Sequence, residues 1–168
     1  LAYLGLREIN KNPIPALKEI FQITNKKGDV SISDLVFKIA PRINAAGRLS
    51  SAIKAAKFLT SSNSSCTKLV TEIEIINQKR RLLDKEITSE ALSKLKDRNE
   101  NRATNLIYSP NWHKGVVGIV ASRIIEKYYK PTIVLTGKGD TLTGSARSVK
   151  GFDIYSVLEK LNHYFISF

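Results

Sequence analysis

Apolar residues recur along the first sixty positions at helical spacing, broken where proline or polar clusters intervene. Leu1, Leu4 and Ile9 open the pattern, and Pro13 and Pro15 interrupt it. Leu17, Ile20, Phe21 and Ile23 resume it, which predicts an amphipathic helix over 16–23 with those four on its buried side. Residues 25–28 read as a stop and turn. Ser31 or Ser33 can cap a short helix through Leu35, Val36 and Ile39 that ends before Pro41, because the residue ahead of a proline is pushed out of the helical region. A helix over 50–59 would carry Ile53, Ala56 and Leu59 along one face, and 60–65 is a polar, serine-rich break.

Residues 67–98 contain neither Pro nor Gly, and strong helix formers dominate, with Leu69, Ile73, Ile76, Leu83, Ile87, Leu92 and Leu95 as the apolar positions. A helix of about 30 residues is roughly 45 Å long, too long for an ordinary core element in so short a chain. Such a helix bridges two domains or pairs in a coiled coil, and the drift of its apolar spacing away from a strict heptad favours the bridge. Beyond it the pattern changes. Strands are predicted over 105–109, 131–135 and 141–146, and helices over 115–129 and 153–161, the last capped by Asp153. Strands alternating with helices imply a small α/β layer, so the fold class is α/β.

Charge narrows the partners. Lys and Arg number 27 against 15 Asp and Glu, a net +12, which draws the chain to phosphate backbones or anionic surfaces. A merely basic protein with solvated helix lysines would show the same balance. With 42% hydrophobic residues in 168, a packed core is attainable. The single cysteine, Cys66, excludes an internal disulfide, and its Ser and Thr neighbours at a helix start favour a structural thiol over a nucleophile. No apolar run approaches the roughly 18 residues of a membrane span, and no signal-peptide pattern opens the chain, so no membrane partner and a cytoplasmic location are expected. The chain starts without Met and inside a helical pattern, as the middle of something longer would.

Three motifs carry candidate chemistry. Residues 41–48 set Arg42, Asn44 and Arg48 around small residues and Gly47; small residues let a ligand approach the backbone, and an Arg fork matches a phosphate. Residues 112–123 follow a strand and open a helix, so free N–H groups beside His113 and Lys114 would suit an anion. Gly115 and Gly118 could equally serve only close packing of helix on sheet, and a lone His in a loop is more often structural. Residues 144–148 place Ser145, Ser148 and Arg147 at the end of a strand, a pattern weak by itself. Together with the first motif it suggests two halves of a phosphate-binding cleft. With His113 and His163 the only histidines, and no clustered Asp or Cys pair, no metal ligand set is visible. Nor is a Walker loop, a nucleophile elbow or a complete catalytic constellation.

In order, these motifs and the long helix between them closely resemble the RecJ-type single-stranded-DNA-specific exonucleases of the DHH phosphoesterase superfamily, over essentially the whole chain. The resemblance implies a DHH domain holding Mn²⁺ or Mg²⁺, a DHH-associated domain, a long connecting helix and a DNA cleft. It also implies degradation of single-stranded DNA from the 5′ end in repair and recombination, with a helicase and a single-strand-binding protein as conceivable co-workers. On this reading residues 1–62 are C-terminal helices of the DHH domain, 63–99 the connecting helix and 100–168 a truncated DHH-associated domain. The family's metal ligands would lie upstream of residue 1 and its Gly-Gly-His motif just after residue 168. The chain would then be a fragment, inactive alone, with no catalytic or metal residue of its own. Carried over by position, Arg42, Asn44 and Arg48 would belong to the cleft loop. Ser145 and Arg147 would contact the 5′-terminal phosphate, and His113 with the helix near Gly115 would assist at the backbone. Two other readings stand beside it: a DHH-family phosphoesterase acting on short oligonucleotides or cyclic dinucleotides, and a non-enzymatic single-strand-binding module. The latter calls for serial aromatic platforms, which Trp112, Tyr108, Tyr128, Tyr129 and Tyr155 do not obviously form.

Overall fold

A computed structural model describes residues 1–96, 102–137 and 139–168, with only the backbone of residues 63 and 64. The chain divides into two compact units, Leu1–Arg81 and Leu82–Phe168.

The first unit is helical. Helix α1 spans Ala2–Lys11, and α2 spans Pro15–Ile23 with its proline in the first turn, where the missing N–H costs nothing. Ser31 and Asp34 form a reciprocal capping box at the start of α3 (Ile32–Asp34), satisfying two otherwise unpaired donors. The predicted stop before Pro41 does not occur. A π-helical turn, Leu35–Ile39, runs directly into α4, Ala40–Leu49. The Ala40 N–H reaches back to the Leu35 carbonyl, and this widened turn accommodates the proline ring within the first turn of α4. Helix α5, Ala52–Leu59, is capped by the Ser51 hydroxyl, and α6 runs from Asn63 to Lys96. It begins within the expected serine-rich break, four residues before the expected start at 67; its expected end at residue 98, and the expected boundary at 99–100, lie outside the described residues.

Phe58, Ile20, Leu17, Val70, Ile73 and Cys66 form the centre of this unit's core. The predicted face of α5 is rotated: Ile53 is 65% exposed, and Ala55 and Phe58 are buried instead. Phe58 removes the largest apolar surface, so its orientation sets the helix phase. Ile23, expected inside, is exposed. Cys66 is fully buried with its Sγ 3.6 Å from the Ser61 carbonyl, the structural thiol expected.

Asp34 supplies a pH signature. The Lys38 ammonium at 2.7 Å, followed by the Ser31 amide and hydroxyl, holds its carboxyl well below the usual carboxylate range. Because the folded form is the stronger acid, this stabilisation is complete above the unfolded value of about 3.9 and is lost as pH falls toward the folded value. In thermal unfolding from pH 6 to pH 2.5, the gap between the native chain and Asp34→Asn is expected to be widest at pH 6 and to shrink below about pH 4. A gap that stays constant with pH would contradict this.

The second unit comprises the C-terminal part of α6 and an α/β layer. Strand β1 (Asn105–Tyr108) pairs parallel with β2 (Thr132–Thr136), which pairs antiparallel with β3 (Thr143–Arg147), in the order β1-β2-β3. Helix α7, Lys114–Tyr128, supplies the parallel crossover and packs on β2 and β3. Val116, Val117, Val120, Ala121 and Ile124 are buried, together with Ile107, Val134, and Ile87 and Ala91 of α6. On β2 the buried positions are Thr132, Val134 and Thr136, not the more apolar Ile133 and Leu135. The buried threonines are satisfied: Thr132 Oγ1 donates to the Lys130 carbonyl at 2.8 Å and Thr136 Oγ1 to the Trp112 carbonyl at 2.6 Å. Helix α8, Ile154–Lys160, is capped by Asp153 as its sequence indicates.

The buried line of α6 runs Cys66, Val70, Ile73, Asn77, Asp84, Ile87 and Ala91, steps of three and four residues with one gap of seven. The spacing is heptad-like after all. Its middle is polar, which is why apolar residues alone make it look irregular.

Candidate phosphate-binding site

In the second unit, folding brings two of the three motifs together. Gly118 lies on α7 where a Cβ would stand 3.2 Å from Ser145 Oγ and 3.3 Å from Arg147 Nη2. The glycine therefore serves close packing, and what packs against it is a hydroxyl and a guanidinium on β3. Ser145 is half-buried and Arg147 exposed, with Nη1 donating to the Ala146 carbonyl at 2.9 Å. A hydroxyl donor and a guanidinium fork two residues apart on one strand face suit adjacent phosphate oxygens. The Ser148 hydroxyl is turned to the Phe152 carbonyl and closes the loop after β3.

His113 caps α7. Its Nδ1 accepts the Gly115 N–H at 3.0 Å, and its carbonyl accepts the Val116 N–H at 2.9 Å. In the neutral ring this leaves Nε2 as the donor. The expected run of free amides is thus partly used by the cap itself, in which His113 takes the Gly115 and Val116 N–H groups.

The first motif lies in the first unit and is helical, not the loop expected for it. Arg42 is only 7% exposed. Its Nε donates to Glu74 Oε2 at 2.6 Å and its Nη1 to the Lys38 carbonyl at 2.5 Å, tying α4 to α6. Asn44 and Arg48 are exposed on the same helix.

The sequence reading missed the residues that hold α7. Arg123 makes a two-pronged contact with Asp84 of α6, Nε to Oδ1 and Nη2 to Oδ2, both at 2.8 Å. The Asp84 carboxylate, 4% exposed, keeps the Arg123 guanidinium even more firmly protonated than usual. Trp112 donates its indole N–H to Glu90 Oε2 at 2.7 Å. A polar residue in the inward phase of a long helix was the one available signal, and it shows only once the heptad phase is known.

A model of the DHHA1 domain matches residues 99–165. The single-stranded-DNA-specific exonuclease RecJ of Salmonella typhimurium is 36% identical over 170 residues, covering 96% of this chain and 30% of that protein. The RecJ of Bacillus subtilis is 32% identical over 165 residues, covering 95% of this chain and 21% of that protein. Among solved structures, Thermus thermophilus RecJ in complex with Mg²⁺ superposes with a TM-score of 0.82 at 29% identity, covering 96% of this chain and 25% of that one. An exonuclease RecJ bound to manganese gives 0.78 at 29% identity, covering 92% and 38%. The chain spans about 30% or less of the length of these curated relatives. With a DHHA1 domain matched over residues 99–165, RecJ relatives along almost all of its length and the shared fold, the chain is similar to one segment of the RecJ exonucleases.

Proposed function

We propose that this chain is the strand-holding part of a 5′-to-3′ exonuclease that degrades single-stranded DNA in repair and recombination, and that it has no nuclease activity alone. The observation that carries the proposal is the meeting of Ser145 and Arg147 of β3 over Gly118 of α7, where a Cβ would crowd the hydroxyl and the guanidinium, two hydrogen-bond donors suited to a phosphate. In this reading Ser145 and Arg147 take oxygens of the 5′-terminal phosphate and His113 donates from Nε2. Asn44 and Arg48 accompany the strand backbone, and Arg42 acts from beneath by fixing α4. Mg²⁺ or Mn²⁺, held by the solved relatives, is the proposed cofactor of the whole enzyme. Among the described residues no group of three or more His, Cys, Asp and Glu is placed to hold an ion, and no step through the metal is assigned to them. A helicase and a single-strand-binding protein are proposed co-workers, and the cytoplasm the proposed compartment. Among the described residues no helix is long and apolar enough to cross a membrane.

The test is binding of 5′-phosphorylated and 5′-hydroxyl single strands by fluorescence anisotropy, beside a nuclease assay with Mn²⁺. The native chain is expected to prefer the phosphorylated end and to cleave neither strand, whereas a protein of the relatives' full length cleaves. Arg147→Ala is expected to cost about five- to tenfold in affinity for the phosphorylated strand, the range of a charge-assisted hydrogen bond at an exposed site. Its salt dependence should flatten by about one counterion. Equal affinity for the two strands, or cleavage by the chain itself, would overturn the reading.

A further inference from the structure

Trp112 is held more elaborately than a core tryptophan needs to be. It is 5% exposed, its indole N–H goes to Glu90 at 2.7 Å, and its carbonyl takes the buried Thr136 hydroxyl at 2.6 Å. Glu90 also lies 3.4 Å from the Lys94 ammonium, which stands 5.9 Å from the centre of the indole ring. The next residue is His113, the cap of α7, and one turn further Gly118 rests against Ser145 and Arg147. The peptide that enters α7 is thus pinned from α6 on one side and from β2 on the other. Eleven residues on, about 16 Å along the axis, Arg123 fastens the same helix to α6 through Asp84.

A helix held at two points behaves as a rod, so an error at its cap is carried to Gly118 and hence to the spacing of the two donors on β3. Phosphate recognition by fixed donors tolerates little displacement.

We propose that the Trp112–Glu90 contact is a positioning device for the phosphate-binding face, setting its discrimination of a 5′-phosphorylated end and not merely filling the core. The proposal rests on the function proposed above. Glu90 is the member to alter. Its side chain is 46% exposed, so losing it leaves no buried charge, whereas removing Arg123 would strand the buried Asp84 carboxylate and confound any reading with unfolding.

The experiment measures, for the 168-residue chain, the ratio of affinities for 5′-phosphorylated and 5′-hydroxyl strands, with thermal unfolding alongside. Glu90→Gln keeps an oxygen acceptor for the indole and is expected to keep the ratio. Glu90→Ala and Trp112→Phe are each expected to lower it about three- to tenfold, and the double variant no further, since both remove the same bond. Trp112 is the sole tryptophan, so its emission reports directly whether Glu90→Ala has altered its surroundings. An unchanged ratio in Glu90→Ala, or a parallel fall of both affinities with the melting temperature, would overturn the positioning role while leaving the proposed function standing. A native chain without preference for the phosphorylated end would overturn both.

Discussion

Gly144→Val is expected to unseat β3 and abolish end-phosphate recognition together, at a cost of about 3 kcal/mol to the second unit. A Cβ at this position would lie 2.5 Å from the Val134 carbonyl oxygen, and 2.4 Å from Leu135 Cδ2. A leucine tip can swing away, but the carbonyl belongs to β2 and cannot yield without parting the strands. Gly144 pairs with Leu135 in the β2–β3 ladder, one residue before Ser145 and three before Arg147. The displacement therefore falls on the residues proposed to bind phosphate. Because the position is exposed, burial alone gives no warning of the effect. Urea unfolding with amide exchange along β2 and β3 checks it. A Gly144→Val protein with native stability and native end preference would mean that β3 has room the structure does not show.

Phe58→Ala is expected to be the most destabilising truncation in the first unit, by about 3–5 kcal/mol. The ring is fully buried beside Ile20, Val70 and Ile73, and it alone joins α5 to that cluster as a fully buried large side chain. Its neighbours are themselves buried on regular helices, so the cavity cannot close by a side-chain swing, which places the cost toward the upper end of the range. Phe58→Leu should lose roughly a third as much, because most of the volume remains. Denaturant titration with amide exchange in α2 and α5 separates the two variants. Equal losses would show that packing shape, not cavity volume, governs the site.

Elements governed by local chemistry could be read directly. Asp153 announces a helix start, the Gly- and Pro-free run announces α6, and β-branched residues announce β2, because capping, backbone entropy and rotamer stiffness act within a few residues. The turn through Pro41 was not legible. Whether a proline ends a helix or is absorbed by a π turn depends on what the flanking segments pack against, and here Arg42 is fastened to Glu74, thirty-two residues away. The phase of α5 was equally non-local, settled by the one large ring that finds the core.

By itself, then, the sequence determined the α/β class, the order of helices and strands, the positive charge and the likeness to a segment of RecJ, since these follow from residue type, short-range spacing and ordered motifs. The tertiary structure alone decided which polar residues face inward on α6, that Thr132 and Thr136 are buried in place of Ile133 and Leu135, and that Gly118 meets Ser145 and Arg147. Those choices rest on strand register and helix phase. A shift of one residue in either would turn every side chain to another face while leaving each local preference satisfied, so only the packing of distant segments could select among them.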